Sequence, residues 1–296
     1  MSGEHLLEVS RLVHTFGGRR GPRVHAVDDV SLWVDEGETF GLVGESGSGK
    51  STLGRCVVGL YAPTGGSVRY RDRDVTRWAR ARDASQLRRE VQMVFQDPYA
   101  SLDPRMRVRD IVAEGLEIGR LEPDARRRAS RVDDALAAVG LDPAVGGRYP
   151  HEFSGGQRQR VGIARALVLE PRLVVCDEPI SALDVSVQAQ IVNLLTDLKR
   201  DRGLTYLFVA HDLAMVRHVS DRVGVMHDGR LVEVGPADDV YRDPLHPYTR
   251  SLLAAVPVPD PDAPPRPRLP YDAPARHGEL VEVRPGRWVR EAVDAG

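Results

Sequence analysis

Cysteine is nearly missing from this chain. Cys56 and Cys176 are the whole supply, and both sit among apolar residues. A disulfide framework needs more cysteines in a smaller chain, so the two read as small buried hydrophobes in a reducing compartment. Long apolar runs are missing too. None approaches the roughly 18 residues a membrane helix needs, so any work at a membrane is expected to go through docking to something embedded. The opening MSGEHLLEVS is acidic and has no long apolar core, so no secretory signal is expected there. An excess of one charge is absent: 41 basic residues stand against 43 acidic ones, for a net charge of −2. That balance suggests no polyanion partner, and nucleic acid is not expected. Arginine-rich runs such as GGRRGPR (Gly17–Arg23) and DARRRASR (Asp124–Arg131) read as solvated faces. No internal repeat is visible, which limits the chain to one copy of whatever it carries.

What is present is the composition of a soluble globular protein, 296 residues that are 42% hydrophobic and 28% charged. That length suggests one elaborated domain or two pieces. Strand-like runs recur at ETFGLVG, VQMVFQD, LVVCDE and LTYLFVAHD. The last three are mostly continuous apolar runs, the pattern of strands covered on both faces and hence of a mainly parallel sheet. Helical runs separate them. After GKST, Leu53, Cys56, Val57 and Leu60 share a face and Pro63 stops the helix. After SALD, Val187, Ile191, Leu194, Leu195 and Leu198 form a stripe closed by Gly203. The alternation predicts an α/β fold.

Two regions depart from it. From about Asp97 to Val161 the periods are helical with little strand character, which reads as a helical insertion. VGVMHDGRLVEVG alternates on both sides of Asp228-Gly229, a hairpin with a tight primed turn expected at the sheet edge. From Pro257 onward prolines crowd in, and the stretch reads as an extended linker with a strand-like coda at ELVEVRPGRWVRE.

GESGSGKST (Gly44–Thr52) fits the pattern G-x-x-x-x-G-K-[ST] between a strand and a helix. Its glycines let backbone amides turn inward around a phosphate chain, and the helix dipole adds positive potential. Gly44, Glu45, Ser46, Gly47, Ser48, Gly49, Lys50, Ser51 and Thr52 are therefore the candidate nucleotide-binding residues. Lys50 brings a point charge to the outer phosphates, and the Ser51 hydroxyl is the candidate Mg²⁺ ligand. RLVVCDEP ends a buried strand in two acids. Strand alternation should send their side chains apart, Asp177 toward the metal's water shell and Glu178 toward an attacking water as general base. Gln96 and His211 each end a strand, and in a parallel sheet those ends share the ligand-binding edge. Gln96 is a further candidate metal ligand.

The stretch HEFSGGQRQRVGIARAL (His151–Leu167) has a capping box in Ser154 and Gln157. The cap does not explain the two glycines. A glycine pair at a helix start bares amides and makes an anion site. Since the phosphate loop already holds one end of a nucleotide, SGGQ reads as a site for a nucleotide bound to another molecule.

Together these motifs, in this order, resemble the ATP-binding subunit of ABC transporters over roughly Leu6 to Leu253. The resemblance implies a P-loop NTPase (RecA-like) core with an antiparallel β subdomain and a helical subdomain at about 97–165. The domain then spans residues 1–255, followed by a proline-rich extension over 256–296. GESGSGKST looks like the phosphate loop, Gln96 the Q-loop, SGGQ the signature, SALD (Ser181–Asp184) the D-loop and His211 the switch histidine. In that family two subunits close head to tail over two ATPs. Ser154, Gly155, Gly156, Gln157 and Asp184 would then touch the partner's ATP. Phe16 is the candidate for stacking on adenine.

FQDPYASLDPRM (Phe95–Met106) and DPLHPYTRSLLAAVPVPDP (Asp243–Pro261) further resemble the oligopeptide/dipeptide importer branch, F-type subunit. The branch implies ATP and Mg²⁺, a D-type companion subunit, two membrane permeases and an extracytoplasmic binding protein. It places the chain peripherally on the cytoplasmic face of the membrane. Some members carry cysteines for an iron–sulfur cluster near the C-terminus. Arg268–Gly278 has none, so no cluster is expected. The alternatives are an ABC ATPase for export or for uptake of a metal or other small solute, and a soluble ABC ATPase. The last would show two cassettes, a coiled-coil arm or zinc cysteines, and none is visible.

Overall fold

The computed structural model describes residues 5–17, 22–79, 84–255 and 276–293. The chain divides into two compact units, residues 1–74 with 207–296, and residues 75–206. In chain order, β1 (Leu7–Phe16), β2 (Val24–Val34) and β3 (Thr39–Val43) lead through the glycine-rich loop to α1 (Lys50–Val57), then β4 (Gly65–Tyr70) and β5 (Arg73–Asp74). The second unit comprises α2 (Val75–Trp78), α3 (Ala84–Glu90), β6 (Val91–Val94), α4 (Val108–Ile118), α5 (Ala125–Ala138), α6 (Gly155–Leu167), β7 (Leu173–Asp177) and α7 (Val185–Arg202). β8 (Thr205–Ala210) leads back into the first unit. There follow α8 (Leu213–Val219), β9 (Arg222–His227), β10 (Arg230–Pro236), α9 (Ala237–Arg242), α10 (Pro247–Ala254), β11 (Arg276–Arg284) and β12 (Arg287–Val293).

The first unit holds an antiparallel sheet ordered β2-β1-β4-β5. Leu7, Val9 and Leu12 of β1 are buried, and Glu8 and Arg11 are exposed. The step from Val9 to Leu12 breaks strict alternation. A register shift lies there, with Arg11 at φ 46, so one extra residue returns Leu12 to the buried face. The unit's other strands run β11-β12-β10-β9-β3-β8. β3 and β9 are parallel, with Leu42 opposite Gly224. β3 is wholly buried, and Gly41 explains how α8 lies on it: a Cβ there would fall 2.2 Å from Val216 Cγ1.

The β9–β10 hairpin turns at Asp228 and Gly229, both at positive φ (45° and 79°), as a two-residue primed turn requires. It does not lie at the sheet edge, where the sequence put it. β12 pairs with β10 through Glu233↔Val289 and Val234↔Trp288, and β11 pairs with β12 beyond it. The strand-like coda is a complete hairpin that takes the edge. A bare β10 would present a row of unpaired backbone groups, which the added strand satisfies. The proline-rich stretch up to residue 275 lies outside the described residues.

The α1 helix also ends earlier than its apolar pattern suggests. It stops at Val57, where Gly59 (φ 76) turns left-handed and the Leu60 amide donates to Arg55 O at 2.9 Å. This is a glycine stop, so Pro63 is not needed to end the helix and Leu60 is left exposed.

In the second unit β6 and β7 are parallel, from Val91↔Leu173 to Val94↔Cys176. Every residue of β7 is buried, as a strand covered on both faces should be. Between these strands the described residues form helices and short 3₁₀ turns but no strand. Val108, Ile111, Val112 and Leu116 of α4, Val132 and Leu136 of α5, and Val161 and Ile163 of α6 are buried. Asp124 caps α5 by accepting from the Arg126 and Arg127 amides. α7 ends at Gly203 (φ 63), the expected stop.

Candidate functional site

β3 ends at Val43, and the chain then needs three positive-φ glycines to reach α1: Gly44 (154°), Gly47 (84°) and Gly49 (100°). Two of them sit hard against the fold. A Cβ at Gly44 would lie 2.1 Å from Met226 O and one at Gly49 1.9 Å from Ala26 O, whereas at Gly47 nothing lies within 4 Å. The loop is thus pinned by β2 and β9 at its two ends and open at its middle. The β9–β10 turn adds a clamp, since the Gly229 amide donates to Ser48 O at 3.1 Å and Asp28 donates to Gly229 O at 2.8 Å.

Lys50 opens α1 but is only 3% exposed. Its Nζ donates to Gly44 O at 2.8 Å, Glu45 O at 2.7 Å and Ser48 Oγ at 3.2 Å. No side chain caps the helix start, and its first turn holds no acid. A buried ammonium, an uncapped helix start and an open glycine bend suit an anion. Ser51 and Thr52 follow Lys50 in that first turn, and Glu45 and Ser46 form the exposed outer face of the loop.

Phe16 ends β1 and is 42% exposed. It lies edge-on to His14 and Tyr61, with centroids at 4.7 and 5.7 Å, and those two rings stack at 5.3 Å. Tyr61 was not among the expected residues. It follows the glycine stop of α1, which the helical reading of that stretch had hidden. His211 is exposed one residue past β8, and Asp212 beside it caps α8 through the Ala214 and Met215 amides.

In the second unit, β7 delivers Asp177 as its last residue, 1% exposed. Glu178 lies outside the strand with φ 45. Its side chain therefore departs from that of Asp177 through a left-handed backbone turn, and strand alternation is not the cause. Gln96 lies two residues beyond β6, and its Nε2 donates to Glu178 Oε2 at 2.9 Å. The Ser181 amide and hydroxyl both donate to Glu178 O, at 3.3 and 3.2 Å. Gln188 Nε2 donates to Ile180 O and Leu183 O, which braces the turn that ends at exposed Asp184.

At the start of α6 the capping box is complete. The Gln157 amide donates to Ser154 Oγ at 3.3 Å, and the Ser154 amide donates to Gln157 Oε1 at 3.0 Å. Ser154 and Gln157 are exposed. Gly156 has a packing role as well, because a Cβ there would come 2.5 Å from Val187 Cγ1 of α7. At Gly155 the nearest atom would be Leu183 Cδ2 at an ordinary 3.4 Å. Buried Arg158 anchors this helix start. Its Nε donates to Pro150 O at 2.6 Å, and its guanidinium lies 3.9 Å from the centre of the Tyr99 ring. The stretch QRQR gave no sign of which arginine turns inward.

Among the described residues no group of three or more His, Cys, Asp or Glu is placed to hold a metal by itself. A divalent cation would take most of its oxygens from the nucleotide's phosphates, which is the usual way of holding Mg²⁺. The donors expected for it, Ser51, Gln96 and Asp177, are oxygen ligands of the hard type it prefers. No described helix is long and apolar enough to cross a membrane.

Residues 27–181 match the family model described as "ABC transporter", and residues 232–279 match "Oligopeptide/dipeptide transporter, C-terminal region". The chain is 53% identical to the oligopeptide transport ATP-binding protein OppF of Bacillus subtilis, over 97% of this chain and 96% of that protein. It is 52% identical to the dipeptide transport ATP-binding protein DppF of Lactococcus lactis, over 96% and 93%. The dimeric post-hydrolysis structure of the ATP-binding cassette MJ0796, bound to ADP and Pi, aligns with a TM-score of 0.70 at 28% identity, over 78% of this chain and 98% of that one. CbiO1 of Clostridium perfringens, part of the ABC transporter complex cbiONQ, aligns with the same TM-score and identity over 81% and 92%.

Proposed function

The chain belongs to the ABC transporter family, and from that premise we propose that it is the ATP-hydrolysing subunit of an importer for oligopeptides or dipeptides. One observation carries this reading: the likeness to peptide-transport ATP-binding proteins extends over nearly the whole chain, including the C-terminal region described for that branch. The subunit acts with membrane permeases and as one half of a cassette dimer. The finer assignment is a D-type sibling as the second cassette, two permeases and an extracytoplasmic binding protein. The chain then sits peripherally on the cytoplasmic face of the membrane.

The residues act as follows in this reading. The amides of Gly47 to Thr52 and the Lys50 ammonium bind the phosphates, with Lys50 keeping Gly44 O and exchanging Glu45 O and Ser48 Oγ for phosphate oxygens. Phe16, with Tyr61 and His14 beside it, offers an aromatic face to adenine. Ser51, Asp177 and Gln96 would hold Mg²⁺, some through water, and when bound it would supply charge neutralisation on the phosphate oxygens. Glu178 takes the proton of the attacking water, and the Gln96 amide orients its carboxylate. His211 holds the transition-state geometry. Ser154, Gly155, Gly156, Gln157 and Asp184 serve the partner's nucleotide. Phosphoryl transfer asks mainly for positioning and charge neutralisation, and amides plus one lysine supply both.

The test is reconstitution of the complex with its permeases and binding protein in liposomes. ATP-dependent uptake of labelled dipeptides or oligopeptides is expected, and uptake should stop when the binding protein is left out. Efflux, or uptake of a metal with no response to peptide, would overturn the peptide-import reading.

A further inference from the structure

The segment around HPYT was set apart in the sequence only by its resemblance, yet it sends a side chain into the phosphate loop. On the reading that this loop binds ATP, we infer that Tyr248 is a positioning residue: its hydroxyl orients the Gly44–Glu45 peptide so that Lys50 is presented to the phosphates. The Glu45 amide donates to Tyr248 Oη at 3.1 Å. The carbonyl of the same peptide unit, that of Gly44, accepts from Lys50 Nζ at 2.8 Å. One peptide plane is thus gripped from both ends, by a tyrosine on the N–H side and by the lysine on the C=O side. Bonds arranged in series through one peptide strengthen each other in a buried setting. The restraint is needed here because Gly44, at φ 154, has no Cβ to limit rotation of the peptide that follows it.

Tyr248 can act as a fixed point because it is itself held from several directions. It is 2% exposed, and its ring lies 4.1 Å from that of His227. Its amide donates to His246 Nδ1 at 3.1 Å. The Leu245 and His246 amides donate to the two oxygens of Glu233, at 3.0 and 2.9 Å. Glu233 is fully buried and also accepts from Arg287 Nη2 at 2.5 Å. The start of α10 is therefore tied to β10 and to β12, and the tyrosine reaches the loop from an anchored base.

Tyr248→Phe keeps the ring and deletes the oxygen. In the full-length chain, hydrogen exchange at the Glu45 amide should accelerate about tenfold, and the dissociation constant for ATP should rise about three- to tenfold, in line with the loss of one hydrogen bond. In the assembled transporter, KM for ATP should rise by the same factor while kcat stays within about twofold, because a restraint on ground-state binding is what is lost. Thr249→Val is the control. That buried hydroxyl has no hydrogen-bond partner among the described residues, so ATP affinity should match the parent. Unchanged exchange at Glu45, unchanged ATP affinity in Tyr248→Phe, or an equal loss in Thr249→Val would each overturn the inference. If the parent binds ATP and Tyr248→Phe binds it equally well, only this inference falls. If the parent binds no ATP, the reading of the loop falls and the inference with it.

Discussion

Glu178 sits on backbone that is costly to keep. At φ 45 it occupies a left-handed conformation that costs a side-chain-bearing residue about 1–2 kcal/mol. A carboxylate held there by a hydrogen bond from Gln96 is placed for chemistry at the expense of local comfort. Glu178→Gln should lower ATP hydrolysis by about 10²–10⁴-fold, the usual worth of a positioned base, with ATP binding intact. Phosphate release and nucleotide binding measured side by side check this, and near-normal turnover would remove Glu178 from the role. The cysteines allow a second prediction at this scale. Burial pushes the Cys56 thiol up to about 12, and burial pushes Cys176 upward as well, with Asp177 adding to it. Only the thiolate attacks, so the native chain should react negligibly with a thiol reagent at pH 8 and both cysteines should react once it is denatured. The placement of Lys50 at a helix start and of Asp177 at a buried strand end was legible because each sits in a short local pattern. The bond between Gln96 and Glu178 was not, since 82 residues separate them.

Among the elements, the phosphate loop makes the sharpest distinction between two glycines that look alike in sequence. Gly47→Ala meets open space and faces only the backbone strain of φ 84, about 1–2 kcal/mol, so the fold should survive with a lowered melting temperature. Gly49→Ala meets the same strain plus a carbonyl oxygen at 1.9 Å on backbone that cannot yield. It should cost far more and abolish nucleotide binding. Thermal melts and fluorescent-nucleotide titration of the pair check the ordering, and equal behaviour would show that the loop is not pinned as described. The same contrast explains which element readings held. The α7 stripe and its glycine stop were legible, as were the primed turn at Asp228-Gly229 and the capping box of α6, because helix stops, tight turns and caps are set by neighbours in sequence. The end of α1 was misread because Gly59 stops a helix as well as a proline does, and the apolar pattern ran past it to Leu60.

For the whole molecule, the C-terminal hairpin and the proposed shared nucleotide site matter most. Arg287 and Glu233 form a buried ion pair, with side chains 4% and 0% exposed. Arg287→Met removes one partner and leaves a buried carboxylate, which should destabilise the chain by about 3–5 kcal/mol. Glu233→Gln with Arg287→Met should recover part of that loss in a denaturant melt. Ser154→Arg addresses the proposed assembly. It should spare ATP binding by its own chain yet prevent ATP-dependent pairing with the second cassette, read by light scattering, and unchanged pairing would count against a shared site. The sequence by itself determined everything that local spacing encodes: the glycine bend before Lys50, the paired acids after a buried strand, the order of motifs and the α/β alternation. Only the tertiary structure decided that β11 rather than β10 lies outermost, that Glu178 leaves its strand left-handed, and that Tyr248 grips an amide 203 residues away. The physical reason is the same for all three. An unpaired strand edge, a strained backbone angle and a buried amide are each satisfied by whichever remote group the folded chain brings near, and nothing in local sequence names that group.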